Sequence, residues 1–168
     1  MEPVPRLPEP GDRETDRLRL LLEVNNAVVS HLDLQDLLQA IAAYIRRSIP
    51  HEVTGLAIYD EQIKVLRLQV VEGLGEKPSF PIGSVLPLAG TAGGRAFLSG
   101  EVLLGEIANS GDFTDPGYRT YIEDRGLRSL CIVPLKFQNR PIGTISLFSV
   151  RPSAFTAMDA ELMQQISG

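Results

Sequence analysis

The chain has no tryptophan, one cysteine and two histidines among its 168 residues. A single cysteine excludes an internal disulfide bond and fits a reducing compartment. Two histidines without a neighbouring cluster of thiols or carboxylates give little basis for a metal site. There is also no apolar run of about 18 residues, so the sequence predicts no membrane-spanning segment and no secretion signal. We therefore expect a cytoplasmic protein that holds no resident metal or cofactor and does not contact a membrane.

Excess positive charge is lacking as well, since the formal net charge is -5. This balance argues against direct nucleic-acid binding through a broad electrostatic surface. The sequence contains no nucleophile elbow, no phosphate-binding glycine loop and no paired carboxylates set up for acid–base work. We therefore expect a segment that is not an enzyme and does not itself bind nucleic acid.

What is present is an ordinary globular composition, with 43% hydrophobic and 22% charged residues. The first eleven residues hold four of the 12 prolines, which predicts an extended linker over residues 1–13. Residues 14–168 are predicted to form a single domain. Its last helix begins with a capping box formed by Thr156 and Asp159, and its pattern stops midway at Gly168. We expect that helix to be truncated and the chain to be one module of a longer protein.

The hydrophobic periodicity changes twice along this domain. Helical spacing predicts a helix over residues 14–30 and a second one that begins after Asp33 as N-cap and ends at Pro50. Strands are predicted over residues 53–59, 63–71, 84–88, 102–106, 128–137 and 140–150. Short helices are predicted over residues 91–99 and 118–124. Hairpins in place of regular strand–helix alternation indicate an antiparallel sheet, and hence an α+β fold.

The last hairpin turns at Gln138 and Asn139 and has two unequal faces. A two-residue turn would pair Cys131 with Ser146 and Val133 with Thr144. Alternation then gathers small polar side chains on one face and apolar side chains on the other. The polar face, expected to form the floor of a ligand cavity, holds Ser129, Cys131, Thr144 and Ser146. The apolar face, expected to pack on helices, holds Leu130, Ile132, Ile145 and Leu147.

Two further groups of residues are candidates for ligand contact. A helix beginning near Thr91 would present free N–H groups to an anion, and Arg95 one turn later would add a guanidinium. The alternative is that the glycines around them only allow close packing and that Arg95 is solvated. Phe113, Tyr118 and Tyr121 would either cover a ligand or close the core as an aromatic cluster.

Several stretches together resemble a GAF domain, a fold related to PAS domains. They are RSLCIVPL at residues 128–135, IGTISLFS at 142–149 and the ending FTAMDAELMQQIS. The stretch LLLEVNNAVVSHLDLQDLL at residues 20–38 resembles the GAF region of formate-hydrogenlyase-type, sigma-54-dependent transcriptional activators. The resemblance covers about residues 18–167.

The resemblance implies an antiparallel sheet of about six strands, with long helices on one face. Short helices and loops would form a small-molecule pocket on the other. It also implies a small-molecule effector, a homodimer through the terminal helices, and ATPase and DNA-binding output domains elsewhere. The alternatives are a structural dimerisation module whose pocket is filled by its own side chains, or the sensor of a histidine kinase or nucleotide cyclase. GAF enzymes that reduce free methionine sulfoxide use several cysteines, whereas Cys131 stands alone and fits a buried structural role.

Overall fold

A single antiparallel sheet organises the protein, as seen in a computed structural model that describes residues 31–73 and 81–168. The predicted linker and the predicted helix over residues 14–30 lie outside the described residues. The strands are β1 (Val53–Asp60), β2 (Val65–Glu72), β3 (Val85–Pro87), β4 (Leu103–Glu106), β5 (Ser129–Phe137) and β6 (Arg140–Ser149). Their order across the sheet is β3-β2-β1-β6-β5-β4. The predicted α+β fold with six strands is confirmed.

Within the described ranges, two long helices cover one face of the sheet, α1 (His31–Ser48) and α4 (Ala157–Ser167). Helix α4 begins at the predicted capping box, in which Thr156 accepts a hydrogen bond from the Asp159 N–H and Asp159 accepts one from the Thr156 N–H. The predicted N-cap at Asp33 is wrong, because Asp33 lies inside α1. These helices bury a core that we call the helix-side core. Its members include Leu38, Ile45, Leu56, Cys131, Val133, Ile145, Leu147 and Met163.

Shorter elements cover the opposite face: α2 (Ala92–Ser99), a 3-10 helix (Ile107–Asn109) and α3 (Pro116–Asp124). Helix α2 matches the helix predicted over residues 91–99: Thr91 is its N-cap, and Gly100 ends it with a left-handed φ of 69°. Helix α3 begins two residues earlier than predicted because Asp115 caps it and Pro116 occupies the first turn. The second core, which we call the cavity-side core, includes Val53, Ala57, Leu66, Leu68, Ala92, Tyr118, Leu130, Ile132 and Phe148.

The last hairpin has the predicted turn but a different register. Gln138 and Asn139 both have positive φ, 49° and 64°, as a two-residue hairpin turn requires. Phe137 faces Arg140 and Lys136 faces Pro141, but the next pair is Leu135 with Gly143. One residue of β6, Ile142, is therefore left over as a β-bulge.

The bulge changes the pairing partners predicted for the β5 residues beyond it, and with them the predicted face of each side chain. Cys131 pairs with Leu147, and Ile132 pairs with Ser146. Because side chains alternate between faces, a shift of one residue moves the β5 side chains to the opposite layer. The predicted faces are correct for β6 and wrong for β5.

The bulge follows from crowding between β6 and β1. A Cβ atom at Gly143 would overlap the carbonyl oxygen of Ala57, so only glycine fits there. Pro141 supplies no N–H group to the ladder, and prolines within sheets are found at edges and bulges. The two residues that flank Ile142 are thus the two that tolerate the irregular backbone.

Candidate functional site

A cavity of about 40 Å³ lies between the sheet and the helices α2 and α3. Its walls come from both layers of the cavity side: strands β1, β2, β3 and β6 below, and the two short helices above. The lining residues are Val53, Gly55, Ala57, Leu68, Val71, Leu86, Gly93, Tyr118, Tyr121, Thr144, Ser146 and Phe148.

Small residues create this space. Gly55 and Ala57 alternate with the bulky Leu56 along β1, so β1 presents its small side chains to the cavity and Leu56 to the helix-side core. Gly93 of α2 leaves space on the opposite wall, because a Cβ at this position would lie 3.6 Å from the Thr144 Oγ1 atom. Sequence reasoning missed all three residues. The signal that would have found Gly55 and Ala57 is the pair of small residues two positions apart in the first strand.

Thr144 and Ser146 lie on the cavity side of β6, as predicted. Their exposed fractions are only 2% and 9%, so both residues are almost completely removed from solvent. Among the described residues, neither hydroxyl has a hydrogen-bond partner within the protein. Both residues line the cavity, so this pair is the polar feature of a largely apolar space.

Aromatic side chains close the cavity on the side away from the sheet. Tyr118 and Tyr121 are buried and belong to the lining. Burial raises the pKa of both phenols, so both are neutral at physiological pH. The Tyr118 ring stacks on Phe113, with 5.2 Å between ring centres, and meets Phe148 edge-on at 6.4 Å.

Phe113 lines a different space. It borders an outer cavity of about 280 Å³ that is formed by the 3-10 helix, the following loop and α3. Because Phe113 stacks on Tyr118, this aromatic pair is a partition between the outer and the buried cavity. The predicted aromatic trio therefore comes together, but Phe113 is one layer further out than the two tyrosines.

Ser129 and Cys131 do not belong to the cavity, and their predicted place in its floor is wrong because of the β6 bulge. The Ser129 hydroxyl donates to the Arg151 carbonyl at 2.7 Å and accepts from the Ala154 N–H at 3.3 Å. Cys131 is buried in the helix-side core, where burial raises the pKa of its thiol to about 12, aided by the nearby Asp159. That thiol is protonated at neutral pH and is a poor nucleophile.

Thr91 and Arg95 also have partners other than a ligand. The Thr91 hydroxyl accepts from the Gly94 N–H at 3.1 Å and donates to the Pro87 carbonyl at 2.7 Å. Arg95 forms an ion pair with Asp112 at 2.8 Å, and its side chain is 59% exposed. The structure thus does not bring Arg95 to the cavity. The pair instead links α2 to the loop that precedes α3.

Neither a metal site nor a membrane segment is found in the part of the chain that the structure describes. Residues 31–73 and 81–168 contain no group of three or more histidine, cysteine, aspartate or glutamate side chains placed to hold a metal ion. No helix in those two ranges is both long and apolar enough to cross a bilayer.

Comparison with known proteins extends this description. A "Formate hydrogenlyase transcriptional activator" from Salmonella typhimurium is 27% identical over 157 residues, which is 92% of this chain and 22% of the relative. The chain therefore spans about a fifth of the length of that relative. This match confirms the predicted resemblance.

Solved structures share the fold. The GAF domain of a phosphoenolpyruvate-protein phosphotransferase from Coxiella burnetii superposes with a TM-score of 0.67 at 14% identity, covering 95% of this chain and 90% of that one. A free methionine-R-sulfoxide reductase from Neisseria meningitidis gives a TM-score of 0.65 at 17% identity, covering 96% and 88%. The fold is thus shared by a domain of a phosphotransferase and by a reductase. A protein-family model described as "GAF domain" matches residues 31–168, and the chain belongs to the GAF domain family.

Proposed function

We propose that this chain is the small-molecule-sensing GAF module of a larger signalling protein, a sigma-54-dependent transcriptional activator. The observation that supports it is the cavity under the short helices, which is lined by two hydroxyl groups that have no protein partner among the described residues. It lies on a sheet whose opposite face packs the long helices α1 and α4. A ligand that hydrogen-bonds to Thr144 and Ser146 and binds only the folded chain stabilises that folded state.

The relative supplies the wider setting of the proposal. Its name identifies it as a transcriptional activator, and 78% of its length lies outside the match, given that 22% is covered. We assign ATPase and DNA-binding output domains to the corresponding part of the whole protein. We place the module at residues 14–168 after a linker at residues 1–13. A cytoplasmic location and a homodimer through the terminal helices belong to the same proposal.

Strand β6 would couple ligand binding in the cavity to the packing of the long helices. Thr144 and Ser146 face the cavity, while Ile145 between them packs in the helix-side core. A ligand that binds one arrangement of β6 more tightly than another shifts the population of that arrangement, and with it the packing of α1 and α4. The output domains then respond to helix position and not to the ligand itself.

A structural module that binds no ligand is the second candidate, and the size of the cavity favours it. A volume of about 40 Å³ is small beside those of typical metabolite sites, which are roughly 300–1,000 Å³. In this case the side chains of Tyr118, Tyr121 and Phe148 fill the space that a ligand takes in a sensor.

A catalytic role has less support than either candidate. The buried, protonated Cys131 thiol lies across the sheet from the cavity, in the helix-side core. We therefore propose regulation and not catalysis for this member of the family.

A ligand screen separates the two candidates. Compounds of a few to about fifteen non-hydrogen atoms are titrated into the isotope-labelled chain, and binding is followed by amide chemical shifts and by thermal stability. Formate is included because of the relative's name. A sensor gives saturable shifts centred on β6, and a bound ligand raises the melting temperature.

The matched control for the screen is Gly55→Ala. A Cβ there has only Leu68 Cδ2 as a close neighbour, at 3.9 Å, so the methyl group occupies cavity space without a clash. A genuine cavity ligand loses affinity in this variant while the fold is kept. If no compound binds, or if the compounds that bind do so equally well to the Gly55→Ala variant, the sensor is excluded and the structural module remains.

A further inference from the structure

We infer that the cavity selects an uncharged molecule of about three or four non-hydrogen atoms, held by hydrogen bonds to Thr144 and Ser146. This inference rests on the proposed sensing function and names the chemical class of the effector. It replaces the anionic ligand that the sequence suggested.

The charge of the cavity is the first argument. No aspartate, glutamate, lysine, arginine or histidine is among the described residues that line it. Two arginines on the same side of the sheet do not line the cavity: Arg95 pairs with Asp112, and Arg125 lies over the Tyr121 ring at 3.8 Å from its centre. An ion that enters the cavity loses hydration and meets no counter-charge among the described lining residues, which makes charged ligands unfavourable.

The two hydroxyl groups are the second argument. Thr144 and Ser146 are two residues apart on one strand, so both point from the same face into the same space. Each hydroxyl both donates and accepts a hydrogen bond. The pair therefore suits a ligand that carries a carbonyl, a hydroxyl or an amide group and has an apolar remainder that faces Leu68 and Phe148.

The volume is the third argument. A water-sized group needs about 10–15 Å³ of such space, so about 40 Å³ accommodates roughly three of them. Because a ligand of three or four non-hydrogen atoms has few atoms that can contribute binding energy, we expect a dissociation constant close to or above about 1 mM.

Formamide and formate provide a matched test, because they have the same number of non-hydrogen atoms and differ in charge. Each is titrated to about 100 mM at constant ionic strength into the labelled chain, and the amide shifts of β1 and β6 are followed. We expect formamide to produce saturable shifts around residues 144–146 and formate to produce none above a sodium chloride blank.

Three variants show whether the named hydroxyls hold the ligand. Thr144→Val and Ser146→Ala each remove one hydroxyl and should weaken formamide binding by about three- to tenfold. Ser129→Ala removes a hydroxyl of the same β-sheet that faces away from the cavity and should leave formamide affinity unchanged.

The inference is overturned if formate saturates the same amides with equal or higher affinity, or if neither compound binds and water alone occupies the hydroxyls. The inference is also overturned if Ser129→Ala weakens formamide binding as much as Thr144→Val and Ser146→Ala do. These failures differ from failure of the sensing function, which survives if any compound of the broad screen binds in a manner sensitive to Gly55→Ala.

Discussion

Thr144 and Ser129 are hydroxyl residues that are buried to almost the same extent, with exposed fractions of 2% and 1%. Their surroundings differ. The Ser129 hydroxyl joins the Arg151 carbonyl to the Ala154 N–H, whereas the Thr144 hydroxyl faces an apolar cavity without a protein partner among the described residues. Burial alone therefore does not tell which hydroxyl stabilises the fold and which is available to a ligand.

Substitution of the two residues should have opposite effects on stability. Ser129→Ala leaves two backbone groups unpaired and should lower the free energy of unfolding by about 1–2 kcal/mol. Thr144→Val keeps the shape and removes an unpaired hydroxyl, so it should leave that free energy unchanged or raise it by less than about 1 kcal/mol. Urea denaturation of the unliganded chain measures both. The reverse order would show that Thr144 has a structural partner.

At the scale of single elements, two adjacent glycines of α2 differ in what they touch. A Cβ at Gly93 would meet Leu66 at 3.5 Å and Thr144 at 3.6 Å, which are ordinary contacts. A Cβ at Gly94 would overlap the carbonyl oxygen of Leu88, part of the backbone that leads into the helix. One glycine leaves room for a cavity, and the other permits the close approach that fixes α2 on its loop.

The pair Gly93→Ala and Gly94→Ala should therefore separate these two roles. Gly93→Ala should raise the free energy of unfolding by about 0.5–1 kcal/mol through helix propensity and abolish ligand binding by filling the cavity. Gly94→Ala should lower it by about 3 kcal/mol or more because the backbone must move. Chemical denaturation with a ligand titration checks both. A Gly93→Ala protein that binds ligand normally would place the site elsewhere.

The ion pair between Arg95 and Asp112 belongs to the loop before α3. Ser110 also donates to Asp112, at 2.7 Å, and the Asp115 N–H donates to the Gly90 carbonyl at 3.1 Å. Arg95→Ala should speed hydrogen exchange of amides 110–118 while changing the free energy of unfolding by less than about 1 kcal/mol, because the Arg95 side chain is largely exposed. Exchange measured by mass spectrometry tests this. Unchanged protection would mean that the loop is held by its other contacts alone.

Local chemistry made several elements predictable from sequence. The ends of α2 at Thr91 and Gly100 and the capping box of α4 depend on residues within one turn of each other. The hairpin turn was predictable for the same reason. The register of β5 was not, because the bulge at Ile142 depends on contact between Gly143 and the Ala57 carbonyl of a strand distant in sequence. The cavity residues of β6 were consequently identified, and those assigned on β5 were wrong.

At the scale of the whole molecule, His51 connects the helix layer to the sheet. Its Nδ1 atom lies 2.7 Å from the Ile49 carbonyl oxygen after α1, and its Nε2 atom contacts the Thr54 hydroxyl of β1. Burial lowers the pKa of His51 below 6.5, and the nearby Arg46 acts in the same direction. The imidazole is thus held neutral in the folded protein.

Stability should consequently depend on pH through this residue. Below pH 6.5 the unfolded chain binds a proton at His51 more readily than the folded chain does. The free energy of unfolding should fall as the pH drops from 6.5 toward the lowered pKa of the folded state, and this contribution should be constant above 6.5. Urea denaturation of the native protein and His51→Gln between pH 5 and 8 measures it. An identical slope in the variant would assign the pH dependence to other groups.

The bulge in β6 and the alternation that follows it have a consequence for how such a protein diversifies. Along β1 and β6, alternate residues contact different layers of the protein. Gly55, Thr144 and Ser146 border the cavity, while Leu56 and Ile145 pack under the helices. Mutations that alter what the cavity accepts therefore fall on different positions from those that hold the helix layer. Substitutions at the cavity positions can therefore change which ligand binds while the residues that pack against the helices stay the same.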